Sequence, residues 1–164
     1  MAEADATFFE AVVRGDHATA RAMLAAAPAL ARAADDLGFT ALHLLATEDD
    51  PAMAELLLAA GADVNARNDM DMTPLHIAQA ASLVEVFVGH GADVNARARY
   101  GWTPLHVQAG ESEESGAVEV IAALLDAGAD PNLRDSAGRT PLAMALERGE
   151  AEKIALLRAH GATE

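Results

Sequence analysis

Gly61-Ala62-Asp63-Val64-Asn65-Ala66-Arg67, followed shortly by Thr73-Pro74-Leu75-His76, is the stretch from which the chain can be read. The first unit returns as Gly91-Ala92-Asp93-Val94-Asn95-Ala96-Arg97. It returns again, altered, as Gly128-Ala129-Asp130-Pro131-Asn132-Leu133-Arg134, and is cut short as Gly161-Ala162-Thr163. The tetrad has its own relatives: Thr40-Ala41-Leu42-His43, Thr103-Pro104-Leu105-His106 and Thr140-Pro141-Leu142-Ala143. From Thr40 to Thr73, Thr103 and Thr140 the steps are 33, 30 and 37 residues. Periods of this size mark a solenoid, in which each unit buries its apolar face only against its neighbours. Each Gly lies 12 residues before the next Thr (61 to 73, 91 to 103, 128 to 140). The return distance from Thr to Gly varies: 21, 18, 25 and 21 residues. The constant half must pair in register with its neighbour. The variable half holds a turn on an outer surface, where added residues cost little.

Local chemistry fills in both halves. Thr as an N-cap with Pro at the first helical position opens a short helix at Pro74, Pro104 and Pro141, and at Ala41 in the earlier copy. A second helix precedes each Gly. Asp50-Pro51 caps Ala52–Ala60, Ser82 with Glu85 suggests a capping box for Leu83–Val88, and Ser115 caps Ala117–Ala127. Gly61, Gly91, Gly128 and Gly161 then end those helices in the left-handed conformation. The 12-residue links, rich in Gly, Asn and Asp, read as turns or hairpins. In the degenerate first copy Thr7 with Glu10 suggests a helix to Arg14, Gly15-Asp16 a turn, and His17–Ala27 a second helix. The expectation is five helix pairs, the outer two acting as caps.

The tetrad and the Gly-Ala-Asp-Val-Asn-Ala unit together resemble the ankyrin-repeat family, over essentially the whole chain. The resemblance implies an all-α fold, an ankyrin-repeat α-solenoid of stacked helix-turn-helix units with β-hairpin or loop fingers. It implies one domain over residues 1–164, with approximate repeats 4–36, 37–69, 70–99, 100–136 and 137–164. It also implies a protein-binding role through finger tips and the adjacent concave helix surface. Some positions depart from the pattern. Asp71 takes the finger place held elsewhere by Gly38, Gly101 and Gly138, which predicts a distorted finger. Repeat three is short, repeat four carries a lengthened acidic turn at Gly110–Gly116, and Ala143 replaces the tetrad's His.

Composition narrows the function. The 164 residues are 52% hydrophobic but only 4% aromatic, with no Cys. Close-packed helices suit so many small side chains, and thiolate or disulfide chemistry is excluded. Eleven Lys+Arg stand against 26 Asp+Glu, a net charge of -15. Such a chain repels phosphate backbones and anionic lipid, so neither nucleic acid nor membrane is an expected partner. It steers instead toward a basic protein, although acidity also simply keeps proteins monomeric and dispersed, and a monomer is expected. The longest apolar run, Ala22 to Ala31, is far short of the roughly 20 residues a bilayer needs. With acidic residues rather than basic ones near the start, a cytoplasmic protein is the simplest reading.

No motif supports catalysis, and no cofactor, metal or catalytic residue is assigned. His43, His76 and His106 share one repeat position. Stacked helices about 8–10 Å apart hold such rings too far from one another to share one zinc. Each ring is expected to bond loop backbone near its own Thr. His90 and His160 fall in the last turn before Gly, where they favour the helix dipole. Glu111, Glu113 and Glu114 read as solvated charge. Arg14-Gly15-Asp16 spells a cell-adhesion tripeptide and is read as coincidence at an inter-helix turn. The enzymatic alternative, a metal-assisted hydrolase, has no constellation behind it.

The fingers carry the interaction hypothesis. Of six aromatics, three (Phe39, Tyr100 and Trp102) fall on them. The variable positions before each tetrad read Leu37 and Phe39, Met70 and Met72, Tyr100 and Trp102, then Ala137 and Arg139. Side chains of this kind at repeat spacing form either an interface or a stiffening seam between fingers, and the interface is preferred. Asp36, Asp69 and Arg99 supply a polar rim, and Glu48 adds acid toward basic groups of a partner. The expected function is a non-enzymatic protein-binding module. A special case is an acidic inhibitor or immunity-type protein that masks a basic enzyme.

Overall fold

The computed structural model describes residues 3–111 and 117–163. Among the described residues nine α-helices run in order: α1 Glu3–Val13, α2 His17–Ala26, α3 Ala41–Leu45, α4 Pro51–Ala59, α5 Ala81–Gly89, α6 Pro104–Gly110, α7 Ala117–Asp126, α8 Pro141–Arg148 and α9 Ala151–Ala159. Short 3-10 turns occupy Pro28–Arg32, Pro74–Ile77 and Arg99–Gly101. Among the described residues there are no β-strands, only an isolated antiparallel bridge between Ala34 and Thr40. No described helix is long and apolar enough to cross a membrane.

The elements stack in two layers. An inner layer runs α1, α3, the Pro74–Ile77 turn, α6 and α8; the outer helices α4, α5, α7 and α9 pack in sequence behind it. Repeat-equivalent side chains make the core between them. Leu42, Leu75, Leu105 and Leu142, two residues after each Thr, are 0–1% exposed. Leu57, Phe87, Leu124 and Leu157, four residues before each Gly, are all 0% exposed. Each such side chain contributes about 1.5–3 kcal/mol by leaving water, and it can do so only while the next repeat covers it.

Helix ends follow the sequence in most places. Asp50 and Asp16 cap α4 and α2 by accepting from Met53 N–H (2.9 Å) and Thr19 N–H (3.0 Å). Gly61, Gly91, Gly128 and Gly161 have φ of 83–92°. Other caps differ from expectation. α1 begins at Glu3, so Thr7 lies inside it rather than capping it. α5 begins at Ala81, with Ala80 as its cap. Ser82 is therefore inside the helix, and its hydroxyl donates to Asp49 (2.5 Å). The proposed cap Ser115 lies outside the described residues.

Repeat three shows what its missing residues do. Its first helix shrinks to the 3-10 turn Pro74–Ile77, and neighbouring repeats take over the lost backbone bonds. Gln79 N–H donates to Ala46 O (2.9 Å), and the buried Gln108 amide donates to Ala78 O (3.0 Å). A second cross-repeat tie comes from α9. Lys153 is fully buried, and its ammonium donates to Gln108 O (3.1 Å) and Glu111 O (2.5 Å) at the end of α6.

Candidate protein-binding surface

Each finger is a tight turn built from its own backbone. Asp35, Asn68, Ala98 and Asp135 N–H donate to Phe39, Met72, Trp102 and Arg139 O, at 2.7–3.0 Å. In the opposite sense, Gly38, Asp71, Gly101 and Gly138 N–H donate back to the carbonyls of residues 35, 68, 98 and 135. Asp71 therefore makes the same turn bond as the glycines, with φ 58°. The expected distortion of that finger is absent. An Asp side chain tolerates the left-handed region better than most, so the strain is absorbed at one residue.

In three fingers a side-chain oxygen clamps the tip. Asp35 Oδ1 accepts from Leu37 and Phe39 N–H, Asn68 Oδ1 from Met70 and Met72 N–H, and Asp135 Oδ1 from Ala137 and Arg139 N–H, all at 2.8–3.0 Å. The third finger has Ala98 at this place and cannot form the clamp. There Tyr100 takes φ 65°, a conformation uncommon for a bulky residue. One backbone bond then links each tip to the next: Asp69 N–H to Leu37 O, Arg99 N–H to Met70 O and Ser136 N–H to Tyr100 O (2.8–2.9 Å).

The tetrad histidines lock the fingers to the helices. Thr40, Thr73 and Thr103 N–H donate to Nδ1 of His43, His76 and His106 at 3.0–3.2 Å. Nδ1 is thereby an acceptor, and Nε2–H donates to the following finger, to Met72, Trp102 and Arg139 O at 3.0–3.1 Å. The expected bond to each histidine's own Thr is present, and a second bond spans repeats. Burial pushes all three imidazole pKa values down, that of His76 to about 4.

On this frame the predicted residues divide in two. Leu37, Met70 and Tyr100 occupy one equivalent tip position and are 56%, 39% and 65% exposed. Phe39, Met72 and Trp102, two residues on, are half-buried, and none is among the side chains packed on the buried core. Phe39 lies edge-on to His43, ring centres 5.6 Å apart, and Trp102 is tilted against Tyr100 at 6.1 Å. Trp102 Nε1–H donates to Asp135 Oδ2 (3.2 Å), which also accepts from the Arg139 guanidinium at 2.9 and 3.0 Å. Burial raises the Asp135 carboxyl, but the bonds from Arg139 and Ala137 outweigh it, and the group stays below its usual range. Asp36, Asp69 and Arg99 sit exposed on the tips, with Arg99 Nη2 donating to Asp69 O (2.6 Å). Glu48 is not brought to this row. It lies past the end of α3, in a hollow of about 200 Å³ shared with Val12, Val13 and Leu45.

A further apolar row, not singled out from the sequence, lies on the inner elements, and Leu44, Ile77 and Met144 of it also pack against the buried core. Leu44, Ile77, Val107 and Met144, each four residues after its Thr, are half-buried on the inner helices. The signal was the repeat register itself: an apolar residue recurs at the same offset in four successive copies.

The remaining clusters are structural. His90 Nε2 meets Glu55 (2.9 Å), and His160 Nδ1 meets Leu156 O (2.9 Å). Among the described residues no group of three or more His, Asp or Glu side chains is placed to hold a metal ion. Glu113 and Glu114 lie outside the described residues.

Comparison with known families agrees with this architecture. A model of ankyrin repeats in three copies matches residues 79–164, and an ankyrin-repeat model matches residues 37–69. The chain belongs to the ankyrin-repeat family. Ankyrin repeats are in general protein–protein interaction modules and typically non-enzymatic.

Proposed function

We propose that this chain is a non-enzymatic module that binds a partner protein across the finger tips and inner-helix floor of repeats two to four. Leu37, Met70 and Tyr100 are the tip anchors. Phe39, Met72 and Trp102 form the wall behind them, and Asp36, Asp69, Arg99 and Arg139 the polar rim. Glu48, in its separate hollow, takes no part in this surface. The observation that carries the reading is Tyr100: an aromatic ring left 65% exposed on a left-handed backbone, in line with two other exposed apolar tips. Strained, exposed aromatic residues concentrate at binding surfaces. The whole stack, residues 1–164, acts as one unit and as a monomer. In light scattering it should have the mass of one copy.

Capture from source lysate tests the surface. Wild type retains a protein that the Tyr100→Ala/Trp102→Ala double variant loses. Identical recovered partners would remove the row from the binding surface.

A further inference from the structure

Given that reading of the finger row, the geometry points to the kind of partner: we infer that it presents an amphipathic α-helix, apolar at heptad spacing and carrying Lys or Arg on its flanks. The spacing of the anchors suits a helix. Leu37, Met70 and Tyr100 recur once per repeat at one turn position, and stacked helix layers lie about 8–10 Å apart. Seven residues of α-helix advance about 10.5 Å and return to nearly the same face. A β-strand returns to one face every two residues, about 6.7 Å or 13 Å along, and drifts out of step with the row.

The finger backbone also disfavours an extended partner. A polyproline segment repeats at about 9.3 Å but leaves its carbonyls seeking donors, as an added strand would. The row has no repeating set of donors to give. In the second and fourth fingers every tip N–H is already donated, to the turn, the clamp or the neighbouring finger. Trp102 Nε1–H, the donor an aromatic groove would offer, is held by Asp135. A helix satisfies its own backbone and asks only for apolar surface.

Charge selects the flanks of that helix. Exposed Asp36, Asp69 and Asp71 line the tips beside exposed Arg67, Arg97 and Arg99, which donate to backbone carbonyls and keep their charge, so the row itself is near balance and the acidic bias comes from the rest of the chain. With the chain at -15 overall, flanking Lys or Arg is attracted and flanking Glu repelled.

Three labelled peptides of three heptads each test this on the full chain by fluorescence anisotropy: Leu at a and d with Lys elsewhere, a scrambled version of that composition, and a version with Glu for Lys. The Lys heptad peptide should bind at least tenfold tighter than its scramble, and the Glu peptide should not bind. Met70→Ala and Tyr100→Ala, both at exposed positions, should each weaken it several-fold, while Glu48→Gln at the distant hollow leaves it unchanged. Circular dichroism should give every variant the same helical signal. Equal affinity for heptad and scramble, indifference to both tip substitutions, or no binding by any peptide would overturn the helix. If lysate capture still depends on Tyr100 and Trp102 in that event, the surface stands and only the partner class is wrong.

Discussion

At the residue scale, two fingers show how one backbone requirement is met differently. Gly38 and Asp71 hold equivalent places, φ 80° and 58°. At Gly38 a Cβ would lie 2.9 Å from Asn68 Cα, a backbone atom that cannot yield. Gly38→Ala should therefore cost about 2 kcal/mol or more in urea denaturation, from clash and left-handed strain together. A loss under about 0.5 kcal/mol would show that the first finger is free to shift. The histidines are also read at this scale. His43, His76 and His106 are held neutral, because Nδ1 accepts from the Thr N–H and burial disfavours the cation. Below an ordinary imidazole pKa of about 6.5 the unfolded chain takes up protons that the fold refuses. Their contribution is whole above that pH and drains as pH falls, for His76 until about pH 4. Between pH 6.5 and 5 the His76→Gln variant should lose stability less steeply than wild type, by up to about 1.4 kcal/mol per pH unit. Equal slopes would mean that His76 protonates in place.

At the element scale, the stack is repaired wherever a repeat departs from the common length. The shortened repeat three borrows bonds from Ala46 and Gln108, and α9 is pinned to the end of α6 by Lys153. Lys153→Met keeps the volume of the stem and removes the donor from two carbonyls. The expected loss is about 2–3 kcal/mol. Hydrogen exchange should accelerate first in α8, α9 and the end of α6, leaving α3 and α4 protected, because each repeat touches only its neighbours. Uniform acceleration along the chain would contradict that one-dimensional coupling. Most elements were legible beforehand: the Thr-Pro starts and the Gly stops fall where α6, α8, α4 and α7 begin or end. What failed were caps read from pattern alone. Thr7 and Ser82 satisfy a capping spacing, yet α1 and α5 begin before them, and the Ser82 hydroxyl is turned to Asp49 of the neighbouring repeat.

At the scale of the whole molecule, charge opposes compactness. A chain at -15 repels itself, and the repulsion is screened by salt. Raising NaCl from about 0.05 to 0.5 M shortens the screening length to about 4 Å, so the melting temperature should climb by several degrees. A falling or flat melting temperature would indicate that the acidic side chains are already compensated within the fold.

By itself the sequence determined the repeat, its register and the chemistry at each turn of it. Those follow from local rules: which residues cap, which tolerate positive φ, and which recur at one offset. It also placed a large apolar residue at every finger tip but the last, which has Ala137. Which of these side chains stay outside was decided only by the tertiary structure. Leu37, Met70 and Tyr100 stand clear while Phe39, Met72 and Trp102 lie half-covered behind them, and Glu48 goes to another part of the surface. At the third finger the cause is visible: Trp102 is tied to Asp135, the clamp residue of the next finger, while Tyr100 is left outside. The third finger gives the same lesson at a single peptide. Ala98 reads as an unremarkable small residue, but without its neighbours' side-chain clamp the Tyr100 backbone turns left-handed.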